Sequence, residues 1–88
     1  MKSRAVGRFW RLYDGLPAEI RRTADKQFAL WLNNPRHRSL RFKQVLSNLW
    51  SARVTDDYRA LATRDGETFL WFWIGPHDEY ERLLKNDF

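Results

Sequence analysis

Eighty-eight residues carrying a net charge of +5, 43% hydrophobic content and no cysteine leave room for a single domain, expected to span residues 1–88, and for one core. The absence of cysteine excludes disulfides and thiolate metal sites. The longest apolar run, residues 69–74, is too short to cross a bilayer and no apolar segment follows Met1-Lys2-Ser3-Arg4, so a cytoplasmic chain without membrane span or secretory signal is expected.

Taken in chain order, residues 1–13 alternate weakly. Val6, Phe9, Trp10, Leu12 and Tyr13 stand among Arg8 and Arg11, which reads as a short strand or an irregular arm. Asp14-Gly15 is a turn signal, and Leu16-Pro17-Ala18-Glu19 reads as a helix start with proline in its first turn. Ile20, Ala24, Phe28 and Trp31 then fall at i, i+4, i+8 and i+11, one stripe of a helix. Glu19, Arg21, Arg22, Asp25 and Lys26 take the opposite side. Asn33-Asn34-Pro35 ends the helix after about four turns, because proline disfavours helical geometry in the residue before it.

Beyond Pro35 comes a loop or short element rich in cations and free of acids: Arg36, His37, Arg38, Arg41 and Lys43. Leu40, Phe42 and Val45 show the spacing of a strand towards its end. Residues 50–54, 58–63 and 68–74 are three further strand candidates. Thr55-Asp56-Asp57 and Arg64-Asp65-Gly66-Glu67 form the turns between them, the second a hairpin signal through Asp-Gly. Phe69-Leu70-Trp71-Phe72-Trp73-Ile74 is apolar without alternation, which suits a central strand covered on both faces, and Gly75-Pro76 is expected to stop it. Residues 78–84 read as a short final helix that docks Leu83 and Leu84 inward. The expected fold is α+β: about four strands in a twisted antiparallel sheet, one main N-terminal helix packed on it, and a short C-terminal helix.

Charge is distributed unevenly. Residues 1–44 hold eleven Lys/Arg against three acids, and residues 45–88 hold five against eight. A basic half of this kind invites a polyanion or an acidic protein partner. Five Trp, six Phe and three Tyr supply much of the burial that so short a chain needs. Phe9 and Trp10 are read as core aromatics rather than as a platform for single-stranded nucleic acid.

The order of these motifs resembles the RelE/ParE superfamily of bacterial type II toxin–antitoxin toxins, and its RelE/YoeB-like mRNA interferases in particular. The resemblance runs from the Leu-Pro helix start through the Asn-Pro stop and Lys43. It continues in Trp50-Ser51-Ala52-Arg53-Val54, Tyr58-Arg59-Ala60-Leu61 and Ile74-Gly75-Pro76-His77-Asp78-Glu79-Tyr80, and so covers roughly residues 16–84. It implies an antiparallel sheet with helices on one face. It also implies a toxin that cleaves mRNA in the ribosomal A site and is neutralised by a cognate antitoxin. From the RelE-like nucleases the resemblance carries over Lys43, Arg53, Arg59, His77 and Tyr80.

The chemistry fits these residue types. When a 2′-hydroxyl attacks the adjacent phosphorus, one group must take its proton, another must protonate the leaving 5′-oxygen, and positive charge must meet the transition state. An imidazole such as His77 suits proton transfer near neutral pH. Arg59 suits a bidentate grip on phosphate oxygens, and Tyr80 suits a hydrogen bond to phosphate or stacking on a base. Arg59, His77 and Tyr80 are therefore the candidate catalytic residues, and Lys43, Arg53, Arg41 and Arg38 the candidate RNA and phosphate contacts. Where some toxins of the family place a glutamate base just before the Lys43 segment, this chain has Leu40. With two separated histidines and no cysteine, no metal site or cofactor is expected and the nuclease reading is metal-independent. The alternatives are a ParE-like inhibitor of DNA gyrase and a non-catalytic basic module that binds RNA or protein.

Overall fold

The apolar run that defies strand alternation becomes the axis of the sheet. In the computed structural model, which describes residues 1–86, this strand is β5 (Thr68–Pro76). It pairs with β4 (Tyr58–Asp65) on one side and with β1 (Lys2–Ala5) on the other. Beyond β4 lie β3 (Leu49–Thr55) and the edge strand β2 (Lys43–Leu46), giving the order β1-β5-β4-β3-β2. Every pairing is antiparallel except β1 with β5.

A β-bulge explains the missing alternation. Leu61 pairs with Trp73 and Ala62 with Trp71, so β5 has one residue more than β4 at Phe72. Phe69, Trp71 and Ile74 consequently face one core, while Phe72 and Trp73 meet the other. The sheet is thus buried on both sides of its centre. Gly66, with φ of +60°, makes the β4–β5 hairpin, and Asn48, with φ of +49°, turns β2 into β3.

The helix expected from the stripe at Ile20, Ala24, Phe28 and Trp31 is α2 (Ala18–Asn33), and Ala24 and Trp31 are its buried residues. Trp31 is the hub of this face. Its indole meets Phe42, Phe69 and Trp71 edge-on at centroid distances of 5.5, 5.6 and 5.5 Å. Edge-to-face contacts of this kind contribute about 0.5–1.5 kcal/mol each beyond burial. The other face is covered by α3 (His77–Asn86). There Leu49, Leu61, Trp73 and Tyr80 form a second buried cluster, against which Leu83 and Leu84 pack as expected.

The expected α+β fold is borne out, and several of its details are corrected. Residues 1–13 are neither one strand nor an arm: β1 is followed by a separate helix, α1 (Gly7–Asp14). Phe9, Leu12 and Tyr13 pack on the core at helical spacing, while Trp10 is half exposed at 50% and is not a core residue. The sheet accordingly has five strands, because β1 joins it in parallel. The N-terminal half has two helices. Gly75-Pro76 does not stop β5, which runs on with Gly75 opposite Arg59 and Pro76 opposite Tyr58; proline is tolerated at a strand end. Finally, Leu40 belongs to a 3-10 turn, Arg38–Leu40, not to β2. No helix of the described residues is long and apolar enough to cross a membrane.

Candidate phosphate-binding site at the β3–β4 turn

Strand register assembles the site. Arg53 and Arg59 are direct cross-strand partners and therefore project from the same face of the sheet. By alternation this is the face of Leu61 and Trp73, the one that carries α3. Lys43 pairs with Ser51, one row further along the same face. Opposite Arg59 on its other side stands Gly75. A Cβ on Gly75 would lie 2.7 Å from Cζ2 of Trp73, so only glycine lets the buried indole lie over this position.

The turn between β3 and β4 organises the cations. Nη1 of Arg59 lies 2.5, 3.3 and 3.0 Å from the carbonyl oxygens of Thr55, Asp56 and Tyr58 and donates to them. Arg53 donates through Nη2 to the Asp56 carboxylate at 2.5 Å and through Nη1 to the Ser39 carbonyl at 3.3 Å. The same turn holds α3, because the Asp57 carbonyl accepts the His77 backbone N–H at 2.7 Å. Arg41 reaches the cluster from the C-terminal end of the 3-10 turn, in a left-handed conformation with φ of +44°, which is uncommon for a residue with a Cβ.

Electrostatics records the crowding. Burial, followed by the charge of Arg53, pushes Arg59 below the ordinary guanidinium value; Arg41 acts in the same sense, and Tyr80 and Asp56 oppose it. Arg59 remains a cation, since guanidinium is not deprotonated in proteins. Asp56 is held below the usual carboxylate range, first by the hydrogen bond from Arg53 and then by its charge, with Arg41 and Arg59 adding to the effect. Three guanidinium groups thus share one nearby carboxylate. Among the described residues Nε and Nη2 of Arg59 have no protein acceptor, which leaves two N–H-bearing nitrogens for an anion.

His77 opens α3, about one-third exposed, with Nε2 3.4 Å from Oε1 of Glu81 one turn on. Its ring centroid is 5.6 Å from that of Tyr80. Tyr80 is only 8% exposed and packs with Leu49, Leu61 and Trp73, so its ring face is not open for stacking on a base. The structure thus brings Arg41, Arg53 and Arg59 together at one end of the sheet, with His77 and Tyr80 at the neighbouring start of α3. Lys43 lies exposed on the edge strand. Arg38 is exposed on the 3-10 turn, and no hydrogen bond or ion pair ties its side chain to the cluster among the described residues. Leu40, where a glutamate base stands in some toxins, is 1% exposed in the core.

Two site residues escaped sequence reasoning. Glu81, not Asp78 or Glu79, is the carboxylate at His77; the His77/Glu81 spacing of four in a helix beginning at His77 was the available signal. Asp56 was legible only as a turn residue, whereas its carboxylate pairs with Arg53 and its backbone carbonyl helps to seat Arg59.

Comparison with known proteins agrees with this architecture. A family model described as the ParE-like toxin domain matches residues 18–82. Among solved structures, YafQ from E. coli superposes with a TM-score of 0.69 at 15% identity, covering 90% of this chain and 96% of that one. The archaeal RelE of a RelE–RelB complex from Pyrococcus horikoshii gives a TM-score of 0.65 at 13% identity, covering 85% and 92%. The toxin–antitoxin complex RelBE2 from Mycobacterium tuberculosis gives 0.62 at 25% identity, covering 86% and 96%. Among curated proteins the sequence has no match.

Proposed function

Since the chain belongs to the ParE-like toxin domain family and is a toxin of the RelE/ParE/YoeB fold, we propose that it is an mRNA endonuclease that acts on the ribosome and is neutralised by a cognate antitoxin. The observation that carries this reading is the convergence of Arg41, Arg53 and Arg59 on one carboxylate, beside a helix that begins with a histidine. Such a cluster has spare positive charge for a phosphodiester and for the extra charge of its transition state. A desolvated, crowded Arg59 gains more from an anion than a fully hydrated cation does.

In this mechanism Arg59, through Nε and Nη2, grips the phosphate and Arg53 and Arg41 add charge. His77 takes the proton from the 2′-hydroxyl as it attacks phosphorus, the bond from phosphorus to the 5′-oxygen breaks, and that oxygen takes its proton from solvent water. Glu81, 3.4 Å from Nε2, orients the imidazole. Tyr80 acts chiefly by packing, keeping the start of α3 against the sheet next to Arg59. Lys43 and Arg38 contact RNA outside the cleavage point. The antitoxin partner follows from family membership and from the RelE–RelB and RelBE2 complexes among the structural neighbours.

A second reading, inhibition of DNA gyrase without RNA cleavage, is favoured by Leu40, which fills with core packing the place of a glutamate base. Primer extension on a reporter mRNA, with and without ribosomes, separates the two. Cleavage that requires ribosomes is expected, with Arg59→Ala reducing it about 10²–10³-fold and His77→Ala about 10²–10⁴-fold. If both variants fold and still cleave, these roles are wrong. If the wild type never cleaves but blocks gyrase supercoiling, the nuclease reading falls.

A further inference from the structure

Within the arginine cluster, Arg53 has little freedom of its own. Its Nη1 and Nη2 donate to the Ser39 carbonyl and the Asp56 carboxylate, and its Nε is buried without a partner. It therefore meets a phosphate as a fixed charge, whose effect falls with distance. After burial, that charge is also the strongest influence on Arg59. Where β3 holds Arg53 thus sets its own contribution and bears on that of its neighbour.

The backbone at this point lacks the support given to the rest of β3. β2 pairs with β3 at Leu49, Trp50 and Ser51 and no further. Beyond Ser51 the outer edge of β3 has no neighbouring strand among the described residues. On the inner edge Arg53 pairs with Arg59, but the register slips before Thr55, and a bulge bends a strand locally. A partly buried edge of this kind needs other groups to satisfy its carbonyls.

One side chain from outside the sheet does so. Nε2 of Gln27 donates to the Arg53 carbonyl at 3.3 Å. Gln27 lies on α2 three residues after Ala24 and four before Trp31, the buried residues of that helix, and so shares the face turned to the sheet. Trp31, set edge-on against Phe42, Phe69 and Trp71, fixes how α2 is rotated and hence where Gln27 reaches. The Arg53 side chain projects from the opposite face, so the contact acts through the strand backbone.

We infer that Gln27 is a positioning residue of the arginine cluster: by holding the Arg53 carbonyl it fixes where Arg53 leaves β3, and so how strongly the cluster binds an RNA phosphate. The inference rests on reading that cluster as a phosphate site. It assigns Gln27 no contact with RNA.

Gln27→Leu tests it by removing the donor while keeping the bulk. Gln27 also lines the open cavity beneath α1 and α2, so the leucine methyls find room and the variant should fold. Its affinity for a short single-stranded RNA with 2′-O-methyl riboses, which resists cleavage, should fall about fivefold, the effect of one hydrogen bond. In an Arg53→Met background the same substitution should change nothing, because the residue it acts through is gone. In the free protein the Nε–H resonance of Arg53 should move. That of Arg64, which donates to the Gly66 carbonyl at 2.8 Å, should stay. Equal losses in both backgrounds, or an unmoved Arg53 resonance, would overturn the inference. So would RNA binding by Gln27→Leu as tight as by the wild type, an outcome that leaves the phosphate-site reading standing. A wild type that binds no RNA would overturn both.

Discussion

On one face of the sheet Leu61, Trp73 and Tyr80 close a small core, at 0%, 4% and 8% exposure. On the other, Ala52 and Ala60 leave about 240 Å³ unfilled beneath two helices. Both faces grow from the same strands, and alternate residues of β4 serve each in turn: Ala60 the open face, Leu61 the closed one. The closed face carries an open, partly polar depression beside Trp73 and Leu83, and its candidate site lies at the margin, where Arg53, Arg59 and His77 stand at the end of the packed core. The open face has few functional charges within it and offers a shape instead. Side-chain volume at alternate positions, more than backbone geometry, thus decides which face presents a charge cluster and which presents a groove.

The comparison predicts unequal responses to similar changes. Leu61→Ala should destabilise by about 2–5 kcal/mol, because neighbours locked by Trp73 and Tyr80 cannot collapse into the space. Ala60→Val, one residue away, adds volume next to an existing cavity and should change stability by less than about 1 kcal/mol. Chemical denaturation of the two variants measures the contrast, and equal losses would show that the open face is as tightly packed as the other.

Gly75→Ala comes next. Its methyl group would meet the Trp73 ring at 2.7 Å and should cost about 1–3 kcal/mol by overpacking. The shifted indole should also disturb the start of α3, so the proposed RNA cleavage should fall along with the melting temperature. An alanine variant as stable as wild type would mean that the indole can move aside freely.

The smallest effect is expected at Asp56. Its folded-state pKa is lowered, so its contribution is present above the ordinary carboxylate pKa of about 3.9 and is lost as pH falls through the lower folded value. The side chain is 88% exposed, so solvent screens most of this term. Melting temperatures of wild type and Asp56→Asn should therefore differ slightly at neutral pH and converge in acid. A gap that widened on acidification would reverse the assigned direction.

Much of this molecule was legible in its residues. The α2 stripe, the Asp-Gly hairpin and the three strands after residue 49 all announce themselves through periodicity and turn chemistry, which act over a few residues. β1 did not. Among the described residues its only sheet partner is β5, some sixty-six residues away at Lys2 opposite Thr68, and no local pattern encodes so distant a pairing. α1 was obscured for a related reason: eight residues beginning at glycine, with an exposed tryptophan among the inward-facing ones, give little helical signal. Of the candidate site, Arg53, Arg59 and His77 could be named from their motifs. That Arg53 and Arg59 stand side by side required the β3–β4 register, and that Tyr80 is buried required the docking of α3.

The sequence by itself determined the elements from α2 onward in outline, the basic N-terminal half and the toxin-like order of motifs, because those follow from side-chain chemistry and short-range spacing. Only the tertiary structure decided that three arginines share one carboxylate, that Glu81 serves His77 and that a groove opens between α1 and α2. Each of these depends on which distant residues meet across strands and helices, and on the volumes left when they do.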